Sequence, residues 1–106
     1  MQKIYLDSAA TTNVTNEVLT EMLPALGQNF GNPNSLHSFG REAMSLVDLA
    51  RDRVANAINA KASEIYFTSG GSESDNWAIK GVAFNGCKGA ILTSEIEHHA
   101  VLKACA

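Results

Sequence analysis

The sequence lacks the features that would assign it to a special class at sight. It holds 2 cysteines in 106 residues, Cys87 and Cys105, with no C-x-x-C pairing, so reduced thiols that fill space like small hydrophobes fit better than a disulfide scaffold. Acids exceed bases, 11 to 8, giving a formal charge of −3. Because the two signs are interspersed, there is no basic stripe for nucleic acid or an anionic membrane. No stretch approaches the roughly 18 apolar residues of a membrane span, and the start, MQKIYLDSAATT, has no apolar signal core, which makes the cytoplasm the expected compartment. Repeats, low-complexity tracts and an interdomain linker are missing as well. What is present is a composition 45% hydrophobic and 18% charged, that of a chain that folds, at a length suited to one small domain.

Two helices are expected in the first half. From Thr15 the apolar residues Val18, Leu19, Met22, Leu23 and Leu26 recur at helical spacing, with Thr15 as N-cap and Gly27 as the stop. Residues 38–59 place Phe39, Ala43, Met44, Val47, Ala50, Val54, Ala57 and Ile58 on one face and most charges on the other. Between them, QNFGNPNSLH at 28–37 has the composition of an ordered loop. Residues 4–6, 64–68 and 89–93 read as strands by residue type, with a helix over 73–84 and another through His99, Val101 and Leu102. Strand, helix, strand is the plan of a parallel crossover, so the fold class is α/β. Two good strands and one short one are too few for a parallel sheet, and the chain reads like the opening of a larger α/β protein.

FTSGGSESDN at 67–76 puts two glycines and three serines at the mouth of a helix. A helix start leaves backbone amides without partners and carries partial positive charge, and glycine admits close approach, so Gly70, Gly71 and Ser72 suit a phosphate. The acids Glu73 and Asp75 suit the dipole but oppose an anion, which places the ligand on the loop side. The pattern is neither G-x-x-x-x-G-K-[ST] nor G-x-G-x-x-G, and an NTPase or dinucleotide site does not fit. The plainer alternative is a strand-to-helix turn with a serine cap. His98 and His99 follow the last strand, where ligands of open α/β sheets sit. Either can stack on a ring or move protons, or simply cap a helix. Metal binding by Glu97, His98, His99 and Cys105 matches no known spacing.

YLDSAATT at 5–12, GNPNSLHSFG at 31–40, EIYFTSGGSESDNWAIKG at 64–81 and SEIEHHAVL at 94–102 together resemble the opening of the pyridoxal-phosphate-dependent cysteine desulfurases, of the class V aminotransferase group. The resemblance implies fold type I: a large domain with a mostly parallel sheet, a smaller domain built from both chain ends, and a homodimer. Residues 1–14 would belong to the small domain and 15–106 to the first part of the large one. It implies conversion of L-cysteine to L-alanine, with sulfur held as an enzyme persulfide and handed to an acceptor protein for iron–sulfur assembly or thio-modification. It assigns Gly71 and Ser72 to the cofactor phosphate and His98 to ring stacking and acid–base steps, and sets Asn32 and Ala9 at the border of the active site.

Two departures are visible. Ser72 stands where the family has threonine, keeping the hydroxyl, and Asn13 where proline is common. None of Lys3, Lys61, Lys80, Lys88 or Lys103 matches the cofactor-linking lysine, and neither cysteine matches the sulfur-accepting one. The expectation is therefore an N-terminal piece inactive by itself, with pyridoxal 5′-phosphate a cofactor of the intact enzyme and absent or weakly bound in the piece alone. The alternative is a non-catalytic module that self-associates or pairs with a complementary C-terminal piece.

Overall fold

The computed structural model describes residues 3–86 and 89–106, in two compact units, Met1–Ile65 and Tyr66–Ala106. Cys87, read above as a core thiol, lies outside the described residues. The first unit holds α1 at Asn16–Leu26, α2 at Ser38–Ala57 and a 3-10 turn at Ala62–Glu64. The second holds α3 at Gly71–Phe84 and α4 at His99–Cys105, which pack on each other. No described helix is long and apolar enough to cross a membrane.

Helix α1 begins and ends where its cap residues dictate. The Thr15 hydroxyl accepts from the Val18 amide at 3.5 Å, and the Gly27 amide donates to the Leu23 carbonyl at 3.1 Å. The helix runs through Pro24, whose missing N–H costs the bond to Thr20 only two residues before the end. Helix α2 stops at Ala57 because Asn59 takes φ 55°, a left-handed conformation that asparagine tolerates better than most residues. Its inward stripe differs from the expected one. Ala43 and Ala55 are buried and Met44, Val47 and Arg51 half-buried, whereas Ala50, Val54 and Ile58 are exposed. Arg51 holds this side by donating Nε to the Ile65 carbonyl at 3.2 Å and Nη1 to Asp48 at 2.7 Å.

The loop at 28–37 is ordered by its own groups. The Asn32 side-chain oxygen accepts from the Asn34 amide at 2.9 Å, and its carbonyl accepts from the Ser35 amide at 2.9 Å. The Phe30 and Phe39 rings lie 5.8 Å apart. A β-carbon at Gly31 would overlap the Phe39 carbonyl and one at Gly40 the Ser35 carbonyl, so both glycines are demanded by the close passage of loop over helix start.

The strand expectations need correction. Among the described residues there is no strand: 4–6, 65–68 and 90–93 have no ladder, and Glu64 closes the 3-10 turn. A strand acquires its hydrogen bonds only from a neighbour, and β-prone residue types cannot supply one. Helix α3 also begins at Gly71, two residues earlier than expected. Among the described residues the buried hydrophobics are Ala43, Ala55 and Ala104, while Leu36, Leu92 and Ile96 are at least 92% exposed. The chain exposes 9314 Å², against about 5,700 Å² for a folded monomer of its mass.

Candidate functional site

The candidate phosphate site is the first turn of α3. Its N-cap is Gly70, not a serine, with φ 164° and so plain extended backbone. The first helical bond runs from the Ser74 amide to the Gly70 carbonyl at 3.2 Å. The amides of Gly71, Ser72 and Glu73 precede it and form the usual orphan set of a helix start. A β-carbon at Gly70 or Gly71 would meet nothing within 4 Å. Neither packing nor a left-handed φ therefore calls for glycine here, in contrast to Gly31 and Gly40.

The side chains around this turn are tied to one another. Glu73 Oε2 accepts from the Ser69 hydroxyl at 2.6 Å and the Ser69 amide at 2.7 Å. Those two bonds, the hydroxyl foremost, hold the Glu73 carboxyl below the usual glutamate range. Thr68 Oγ1 donates to the Gly70 carbonyl at 3.2 Å and lies 2.7 Å from Ser74 Oγ. With the Thr68 proton so engaged, Ser74 is the donor between the hydroxyls. The Asn76 side-chain amide donates to the Ser72 carbonyl at 2.8 Å, leaving the Ser72 amide and hydroxyl uninvolved in that bond. The Ser69–Glu73 clasp was missed in the sequence, where Glu73 counted only as an acid near a dipole. The signal was there: a hydroxyl residue followed by a glutamate one turn on resembles the spacing of a capping box.

His98 is the N-cap of α4. Its Nδ1 accepts from the Ala100 amide at 3.1 Å. Because a backbone N–H can only donate, the neutral ring carries its proton on Nε2, and that atom alone is left for another partner. The His99 ring centroid is 6.5 Å from that of His98. Among the described residues no group of three or more His, Cys, Asp or Glu could hold a metal. Cys105 is a half-buried free thiol lining, with Ile79, Ile91, Leu92 and Val101, a groove of about 510 Å³ in the second unit.

Gly71, Ser72 and His98 thus belong to one unit, on two helices in contact. Ala9 and Asn32 belong to the other. Ala9 sits in an exposed turn in which the Asp7 carbonyl accepts from the Ala10 amide at 3.1 Å. Asn32 is exposed too, with its side-chain oxygen committed to its own loop.

The donors at the α3 start fit a phosphate ester: three unbonded amides in a row, a hydroxyl among them, and open space before the glycines. The sequence model of the aminotransferase class-V family matches residues 4–106. The chain is 55% identical over 105 residues to cysteine desulfurase IscS of Methanosarcina thermophila, covering 97% of this chain and 26% of that protein. It is 55% identical over 106 residues to cysteine desulfurase IscS of Dictyoglomus turgidum, covering 98% of this chain and 27% of that one. A solved NifS-like protein superposes with a TM-score of 0.88 at 42% identity, over 97% of this chain and 29% of that one. The chain spans about a quarter of the length of the curated relatives it matches.

Proposed function

The chain belongs to the aminotransferase class-V family, and from that premise we propose that it supplies the cofactor-phosphate turn and the ring-contacting histidine of a pyridoxal-phosphate-dependent cysteine desulfurase. One observation carries this reading. Gly70 and Gly71 are required by neither backbone conformation nor packing, yet they clear the approach to the free amides of a helix start. A phosphate uses that opening. The Gly71 and Ser72 amides and the Ser72 hydroxyl would bind it, with the α3 dipole aligned to its charge. Pyridoxal phosphate, when bound, supplies the electron sink for cleaving the carbon–sulfur bond of the substrate.

The net reaction is L-cysteine plus an enzyme thiol giving L-alanine plus an enzyme persulfide, so the sulfur crosses without an outside oxidant. The persulfide sulfur then passes to an acceptor protein for iron–sulfur assembly or thio-modification. His98 would lie against the pyridine ring and donate or take a proton through Nε2, the nitrogen its cap leaves open. Asn32 and Ala9 would border the substrate. In the complete fold, residues 15–106 would open an α/β large domain, with 65–68 and 89–93 entering its sheet once neighbouring strands lie beside them. Residues 1–14 would join the small domain, and the whole would be a cytoplasmic homodimer.

The test joins this chain to a polypeptide carrying the other three quarters of the fold, with its lysine and cysteine, and measures L-alanine formed from L-cysteine. Alanine is expected from the joined protein and not from the 106-residue chain. Ser72→Ala raises the pyridoxal phosphate needed for half-maximal activity, and His98→Ala lowers turnover about 100-fold or more. Joined variants that match the parent in both respects would overturn the assignment. A second reading has its own support in the 9314 Å² of exposed surface: a non-catalytic module that self-associates or pairs with a complementary C-terminal piece.

A further inference from the structure

We propose that Glu73 is a positioning residue for the phosphate turn: by clasping Ser69 across the Gly70-Gly71 pair, its carboxylate sets the path of the loop whose amides receive the phosphate ester. The inference rests on the reading of that turn given above.

An acid beside an anion site needs a reason. Stabilising the helix dipole is one, but any first-turn acid does so wherever its side chain points. Asp75 lies in the same stretch and takes no hydrogen bond from the loop, whereas Glu73 takes both donors of a residue four positions back, through one oxygen, at 2.6 and 2.7 Å. These are charge-assisted lengths, and such bonds are about twice as strong as neutral ones. The Thr68–Ser74 hydroxyl pair at 2.7 Å adds a second tie from the same loop to the same helical turn.

What lies between the ties explains their use. Two consecutive glycines have the largest backbone freedom of any dipeptide, and here a β-carbon on either would meet nothing within 4 Å. Left alone, the segment would spread over many conformations, and a ligand would bear the cost of ordering it. With Ser69 clasped from one side and Gly70 bonded to Thr68, the amides are set before the ligand arrives. The like-charge cost is small because the carboxylate is exposed to solvent and saturated on one oxygen by Ser69, so its field on a neighbouring anion is screened.

This yields a sign opposite to that of simple charge counting. Pyridoxine 5′-phosphate lacks the aldehyde and cannot react with lysines, so its titration into the 106-residue chain, followed by calorimetry, reads the turn directly. Glu73→Gln deletes a negative charge yet weakens binding about fivefold, the equivalent of roughly one lost hydrogen bond. Ser69→Ala, which removes the hydroxyl partner of the same clasp, weakens it in the same direction, while Asp75→Asn does not weaken it at all. Amide exchange at Ser69 quickens in Glu73→Gln without ligand present. Binding by Glu73→Gln as tight as the parent, or tighter, overturns the inference and leaves the phosphate reading standing. A parent that binds no ester either as the 106-residue chain or joined to the rest of the fold, or a Ser72→Ala variant that binds like the parent, overturns the phosphate reading and the inference with it.

Discussion

Glycines at 31, 40, 70, 71 and 81 serve different ends, separable at the level of single residues. Gly31 and Gly40 permit two backbones to pass where a methyl group would collide with a carbonyl. Gly70 and Gly71 face open space. Gly81 is a mid-helix residue whose β-carbon would meet only Trp77 Cδ1 at an ordinary 3.6 Å. Glycine to alanine inside a helix normally stabilises by up to about 1 kcal/mol. Gly81→Ala is expected to follow that rule, and Gly40→Ala to reverse it, destabilising by about 1–3 kcal/mol through overpacking. Urea denaturation of the two variants reads the opposite signs. The candidate phosphate residues stand out in the sequence by type, since paired glycines before a helix are uncommon without a reason. The sequence did not distinguish the clamped glycines at 31 and 40 from ordinary loop glycines, because the atoms they avoid are the backbone carbonyls of Phe39 and Ser35, further along or back in the chain.

At the scale of elements, caps were legible and ladders were not. Thr15 and Gly27 are local signals, and α1 keeps to them. The stripe on α2 was only partly legible because Ala50 and Ala55 look alike in sequence, and it is the position of the 3-10 turn against the helix that selects which side is covered. The strands expected at 64–68 and 89–93 rested on residue type alone, and pairing depends on segments remote in sequence. Helix α3 has an end legible only in hindsight, the Glu73–Ser69 clasp. Since its folded carboxyl sits below the ordinary glutamate range, the clasp adds stability above that range, and the contribution fades as pH falls through the folded value. The Ser69 amide resonance is expected to titrate with a midpoint below that of glutamate in an unfolded peptide, and the α3 start to fray under acid. A midpoint at the unfolded value would show that no clasp forms in solution.

The whole molecule is marked by apolar surface without cover. α1 turns Val18, Leu19, Met22, Leu23 and Leu26 outward, and a groove of about 550 Å³ between α1 and α2 is lined by Met22, Pro24, Ala25, Leu46, Leu49 and Val54. The one ion pair across it, Arg53 to Glu21 at 3.0 Å, is exposed and adds at most about 1 kcal/mol. Sedimentation at micromolar concentration is expected to show species heavier than 11.3 kDa, and an apolar dye to brighten in the presence of the chain and dim when a complementary polypeptide is added. A dispersed monomer that leaves the dye dark would contradict this. A surface of this kind is also what holdase chaperones and quality-control proteases recognise. Wherever that surface stays uncovered those binders compete for it, and the abundance of the protein falls with the time its apolar face spends open to them.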